Sequence, residues 1–178
     1  MRMRSCVVAL LVGLACGFLS VASAGAKTVT VGQLFTPAQV SCFPGTALVP
    51  SVASGNSYRI PKAGVITSWS FHDGANTVPG LKLKVGRHAG GGTFKIVGSA
   101  LAGTQTPNAV HTYHVHIRVR AGDLIGEYEN GGSCGTQTGT TADKYWWINT
   151  SEARRGTTTG FHRLHGFKFP VSVVVKEN

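Results

Sequence analysis

Apolar and polar residues alternate along this chain with a period of two, in short runs broken by Gly, Pro, Asn and Asp. Residues 64–72 (GVITSWSFH) place Val65, Thr67, Trp69 and Phe71 on one face and Ile66, Ser68, Ser70 and His72 on the other. Residues 81–87 set Leu81, Leu83 and Val85 against Lys82 and Lys84, and residues 93–98 set Phe94 and Ile96 against Lys95. Residues 112–120 (TYHVHIRVR) set Tyr113, Val115, Ile117 and Val119 against His114, His116, Arg118 and Arg120. Further strands are expected at 28–35, 123–129, 144–149 and 167–176. One apolar and one polar face is the mark of antiparallel strands packed on one side. About eight or nine such strands predict an all-β fold, a two-sheet antiparallel β-sandwich of jelly-roll type, with a closed barrel as the runner-up. The long loops are expected at 73–80, 99–111 and 130–143, and residues 151–166 read as irregular. No segment repeats, and none carries the stripe of a long helix.

Composition agrees with the pattern. Charged residues make up only 13% of the chain and there are 24 glycines among 178 residues, which favours strands and tight turns over helices. The length suits one domain and is too short for a (β/α)₈ barrel or most two-domain enzymes.

Residues 1–24 read as an address. Arg2 and Arg4 precede an uncharged apolar run at 5–21, and Ala22-Ser23-Ala24 offers small residues for cleavage. The expected mature domain is therefore 25–178, exported and without a membrane span. Cleavage would lower the net charge of +10 by two and remove Cys6 and Cys16. Cys42 and Cys134 then remain as an expected disulfide. The loop it closes would make it worth roughly 4–5 kcal/mol on the chain-entropy argument.

The phrases AGVITSW (63–69), LKLKVGR (81–87), GGGTFKIVG (90–98) and VRAGDLIGEY (119–128) occur in this order. Together they resemble a group of uncharacterised secreted bacterial β-sandwich proteins common in actinobacteria, over roughly residues 30–130. The resemblance implies an exported β-sandwich and nothing catalytic. The histidines at 111–116 and His162 and His165 are not part of that pattern.

Three chemistries are open to the side chains. His114, His116, Arg118 and Arg120 form a basic row that would attract a polyanion such as an anionic cell-wall polymer, more so in mild acid where imidazoles gain a proton. Trp146 and Trp147, adjacent in a strand, point opposite ways, so one of them could offer a face to a polysaccharide. His114 and His116, about 7 Å apart on one strand face, could hold zinc or copper if His162 or His165 supplied a further ligand, although Arg118 and Arg120 would repel the ion. Nucleic acid is not expected, since the basic residues are not interleaved with stacking aromatics.

Catalysis has little to stand on. Gly131-Gly132-Ser133-Cys134-Gly135 matches the letters of a nucleophile elbow, with Asp143 and His162 or His165 following, but the motif needs a helix that the pattern does not provide. Glu127 and Glu129 share a strand face and are expected to pair with a basic neighbour. Asp123 reads as the acceptor of a turn opened by Gly122. The sequence thus predicts a non-enzymatic binding or structural protein of the cell envelope or extracellular space, with a metal-binding protein as the alternative and a small hydrolase as a third reading.

Overall fold

Alternation becomes thirteen strands, and no helix, among the residues described by the computed structural model: 25–38, 44–131, 136–149 and 151–178. The expected signal segment 1–24, Cys42, Cys134 and Ser133 lie outside these residues. Nine strands have five residues or more: β1 (Thr28–Gly32), β2 (Gly45–Ser51), β3 (Gly64–His72), β4 (Lys82–Gly90), β5 (Thr93–Leu101), β6 (Val110–Val119), β7 (Leu124–Glu129), β9 (Lys144–Asn149) and β13 (Val171–Glu177). The short ones are β8 (Gln137–Thr138), β10 (Thr158–Gly160), β11 (His162–His165) and β12 (Phe167–Lys168). They raise the count above the eight or nine expected. Residues 130–143 and 151–166, read as loop, contain three of them, and the run 167–176 is split by Phe169-Pro170 because proline cannot donate to a ladder.

The strands form two main antiparallel sheets, one ordered β1-β13-β3-β6 and one ordered β10-β5-β4-β7-β2-β9-β11, with β12 and β8 as a separate pair. Between the two sheets lies the main core. Ile66, Trp69 and Phe71 of β3 and Val171, Val173 and Val175 of β13 face Leu83 and Val85 of β4, Ala47 and Val49 of β2 and Ile125 of β7. Each large apolar side chain so enclosed contributes about 1.5–3 kcal/mol. Tyr58 is buried there too, its hydroxyl donating to the Phe169 carbonyl.

The face assignment of β3 needs correcting. Trp69 and Phe71 face the core as expected, but their partner is Ile66, not Val65 and Thr67. The register shifts between Ile66 and Ser68 against β6 and between Val174 and Val175 against β13. Against β13, Thr67 is the extra residue of a bulge, and it reverses the phase of alternation on either side of it.

The larger sheet is apolar on both faces. Its outer face carries Leu48, Phe94, Ile96 and Leu124, with Trp146 and Ile148 packed against them, and Ala153 and Phe161 close over them from the segment 151–161. Lys84 fastens this strap. It is fully buried, and its ammonium donates to Glu152 Oε1 at 2.6 Å, Ser99 Oγ at 3.0 Å and the Ala153 carbonyl at 3.1 Å. Lys82 holds the other Glu152 oxygen at 2.6 Å. Burial lowers the Lys84 pKa against the opposing pull of Glu152. Burial alone would raise the Glu152 pKa, but the two lysine hydrogen bonds bring it below the usual value. Thr46 completes the clasp, donating to the Ser151 carbonyl and accepting from the Ala153 amide.

Glu127 overturns the expected pairing with a basic neighbour. It lies on the inner face of β7 opposite Ala47 and Leu83, is buried, and makes no ion pair among the described residues. Burial first, then the neighbouring Glu129 carboxylate, pushes its pKa well above the usual glutamate value.

Two outcomes follow. Glu152→Ala leaves the buried Lys84 charge without its carboxylate and should cost about 3–5 kcal/mol in urea unfolding. Lys84→Met, which removes the charge and keeps the volume, should cost distinctly less, and only Glu152→Ala should speed amide exchange across 151–161. For Glu127, the folded chain keeps its proton to higher pH than the unfolded one. Below the ordinary value of 4.5 both states are protonated and no penalty exists. As pH rises above it, stability falls by at most about 1.4 kcal/mol per pH unit until the folded pKa is reached. Glu127→Gln should flatten that fall and raise Tm at pH 7 more than at pH 4.

Candidate functional site

β6 is an edge strand, hydrogen-bonded only to β3 within its sheet. Its inward side chains Val115, Ile117 and Val119 meet the core, and its outward side chains His114, His116 and Arg118 are exposed, followed by exposed Arg120. The basic row is thus laid out as the alternation predicts. His111 belongs to the other face. It accepts from the Thr106 amide at 2.8 Å and lies 3.5 Å from the buried Asp73 carboxylate, so it closes the loop between β5 and β6. Burial raises the Asp73 pKa, and the neighbouring His111 opposes this.

The lower half of the row borders a cleft. A cavity of about 650 Å³ opens at this end of the sandwich, where Val65 and Val97 form apolar wall, Arg118, Arg120 and Arg87 form cationic wall, and His116 stands beside them. Arg87 is committed: its Nε and Nη2 donate to the two oxygens of buried Asp123, each at 2.8 Å. The Asp123 hydrogen bonds raise the Arg87 pKa against the opposing effect of burial. Asp123 also accepts from the Arg120 amide at 2.8 Å, and Gly122 takes the left-handed φ of 86° that the turn requires. The turn expected at Asp123 therefore sets the backbone that carries Arg120. Arg118 and Arg120 have no carboxylate partner among the described residues. Two unspent guanidinium forks beside an imidazole match the geometry of carboxylate or phosphate oxygens. His114 stands farther up the strand and does not line the cleft.

The tryptophans do point opposite ways. Trp147 packs on the main core, edge-on to Tyr145, and Trp146 packs on the outer face with its ring 5.4 Å from Phe94. Both are half-buried. Arg163 of β11 stands opposite Trp146 in the ladder, its guanidinium 5.9 Å from the indole centroid. Arg154 and Arg155 are exposed in the strap, at the turn that bonds to Ile96 of β5.

His162 and His165 are not brought to His114 and His116. They lie on β11 of the larger sheet, whereas His114 and His116 lie on β6 of the smaller one. Among the described residues no three metal-ligating side chains converge. Asp143, second in the Ser-Asp-His order of the hydrolase reading, serves a turn: its carboxylate accepts from the amides of Ala53 at 2.8 Å and Thr140 at 2.7 Å. Burial would raise its pKa, and these hydrogen bonds hold it below the usual value.

Sequence reasoning missed Arg87 and Arg59. The pair Arg87-His88 interrupts the Leu-Lys alternation of β4, the one local signal that this strand end does something other than pack. No helix among the described residues is long and apolar enough to cross a membrane. No family model, no curated protein and no solved structure matches the chain.

Proposed function

We propose that this is an exported, non-enzymatic binding protein of the cell envelope or extracellular space, and that it holds an anionic polymer in the cleft beside β6. One observation carries the reading: Arg118 and Arg120, which form no ion pair among the described residues, converge with His116 on a cavity of about 650 Å³ that Asn178 also lines. A cavity walled by unspent cations collects anionic ligands because the low-dielectric walls focus the field and the guanidinium forks fit carboxylate or phosphate oxygens. Export is supported by the arrangement of residues 1–24, and a wall polymer is the first polyanion such a protein meets.

The test is co-sedimentation of the purified protein with isolated cell walls over a salt series. Binding is expected to fall steeply with salt, as released counterions dictate. Arg118→Gln with Arg120→Gln should weaken binding at low salt about tenfold or more and flatten the salt dependence. Both side chains are exposed, so Tm should stay unchanged. Binding indifferent to salt, or to the double variant, would sink the proposal.

A further inference from the structure

The turn Arg120–Asp123 has a second pocket on its other side. This cavity, of about 290 Å³, has an apolar floor of Phe94, Leu124 and Trp146, cationic walls of Arg59 and Arg163, and an imidazole wall of His88. It faces out from the larger sheet, while the cleft opens where the two sheets part. Consecutive residues of β4 separate them: Arg87 lines the cleft and His88 lines the pocket, with alpha carbons about 3.8 Å apart. Arg59 is fixed in the pocket wall, since its guanidinium donates to the Gly122 carbonyl at 3.3 Å and its backbone pairs with Leu124.

The pocket is built rather than incidental. Gly92 lets Trp146 into it, because a side chain there would meet the Phe161 carbonyl at 2.7 Å and the indole at 3.0 Å. Its imidazole wall is fixed: His88 Nε2 bonds the Gly91 carbonyl at 2.7 Å and the ring stands edge-on to Phe94 at 5.2 Å. Arg163 is placed over the indole by its ladder position opposite Trp146. No acid lines the cavity, and Arg59 and Arg163 form no ion pair among the described residues.

We infer that this pocket binds a carboxylated sugar ring, and that the polymer held by the protein is an acidic polysaccharide whose chain runs from the cleft over the Arg120–Asp123 turn to Trp146. The aromatic floor takes the C–H face of a pyranose and the paired arginines take its carboxylate. A polyphosphate would leave the aromatic floor unused. A neutral glycan would leave the two guanidinium charges without a counter-charge. The ring site stands on its own residues; the path of the polymer rests on the reading of the cleft given above.

Short oligomers of α-1,4-linked galacturonate and neutral maltooligosaccharides of equal length are the probes, with binding followed by calorimetry and by the indole N–H resonance of Trp146. The galacturonate oligomer should shift that resonance, and Arg163→Gln or Arg59→Gln, both at exposed positions, should weaken its binding at least tenfold. Neutral oligomers should bind at least tenfold more weakly. An unmoved Trp146 resonance at saturation, or equal affinity for the neutral oligomer, overturns the inference. Its failure differs from that of the cleft reading. If the Arg118/Arg120 variant loses wall binding while Trp146 never responds, the cleft stands and the sugar site falls. If Trp146 responds and the double variant still binds walls, the sugar site stands and the polymer path falls.

Discussion

A sheet that is apolar on both faces cannot stand with one face in water, and the seven-stranded sheet of this protein is such a sheet. Ala47 and Val49 point into the main core while Leu48 between them points out, and the same division separates Ile125 from Leu124. The smaller sheet covers one face. The other depends on the strap 151–161, too short to bury a core by itself, and the Lys84–Glu152 clasp decides whether it stays down. A buried ion pair gains little over an apolar replacement but costs several kcal/mol when half is removed, so the clasp sets where the strap sits more than how stable the domain is. Among the described residues Lys84 pairs with one carboxylate, Glu152, and the Thr46 hydrogen bonds to Ser151 and Ala153 hold the strap in the same register.

The outer pocket inherits its shape from that register. Phe161 ends the strap, stacks edge-on to Phe94 at 5.6 Å and hydrogen-bonds Gly92. Phe94 in turn supports Trp146. The cleft on the other side is framed differently, by the Arg87–Asp123 pair that fixes the turn after β6. The two cavities thus depend on separate fastenings that meet at the same four-residue turn, and loosening the strap would disturb the aromatic pocket while leaving the arginine cleft intact.

Period-two alternation made most of the sandwich legible, and it failed where the physics gives it nothing to report. β2 escaped notice because five consecutive residues from Gly45 to Val49 are buried, and a strand covered on both faces does not alternate. The phase error on β3 came from one bulged residue, invisible to a pattern that assumes regular pleating. Glu127 and Glu129 look like a solvent face because they alternate with Leu124, Gly126 and Tyr128; only the position of β7 inside the larger sheet reveals that their face is the core. For the site, the shared face of His116, Arg118 and Arg120 and the opposed tryptophans were readable, being properties of single strands. The joining of Arg87 to the cleft, and of Arg59 and Arg163 to Trp146, arises from pairings between strands far apart in sequence, which no local pattern carries.

An edge strand bearing a row of basic side chains has an ordinary explanation: charge on an exposed edge discourages pairing with another chain. The geometry separates that duty from the one proposed. His114 is exposed on the edge strand and does not line the cleft. Protection would be served equally well by charge projecting into open solvent, and it gives no reason for Arg118 and Arg120 to converge on a cleft with His116. Nor does it require Asp123 to hold the backbone beneath Arg120, or to occupy Arg87 while its two neighbours stay unspent. In an otherwise sparsely charged chain, acids sit where they fasten structure, as Asp123, Asp143 and Glu152 do. Of the arginines without an acid partner among the described residues, Arg118 and Arg120 line the cleft and Arg59 and Arg163 the pocket on the other side of the same turn, a convergence for which edge protection gives no reason.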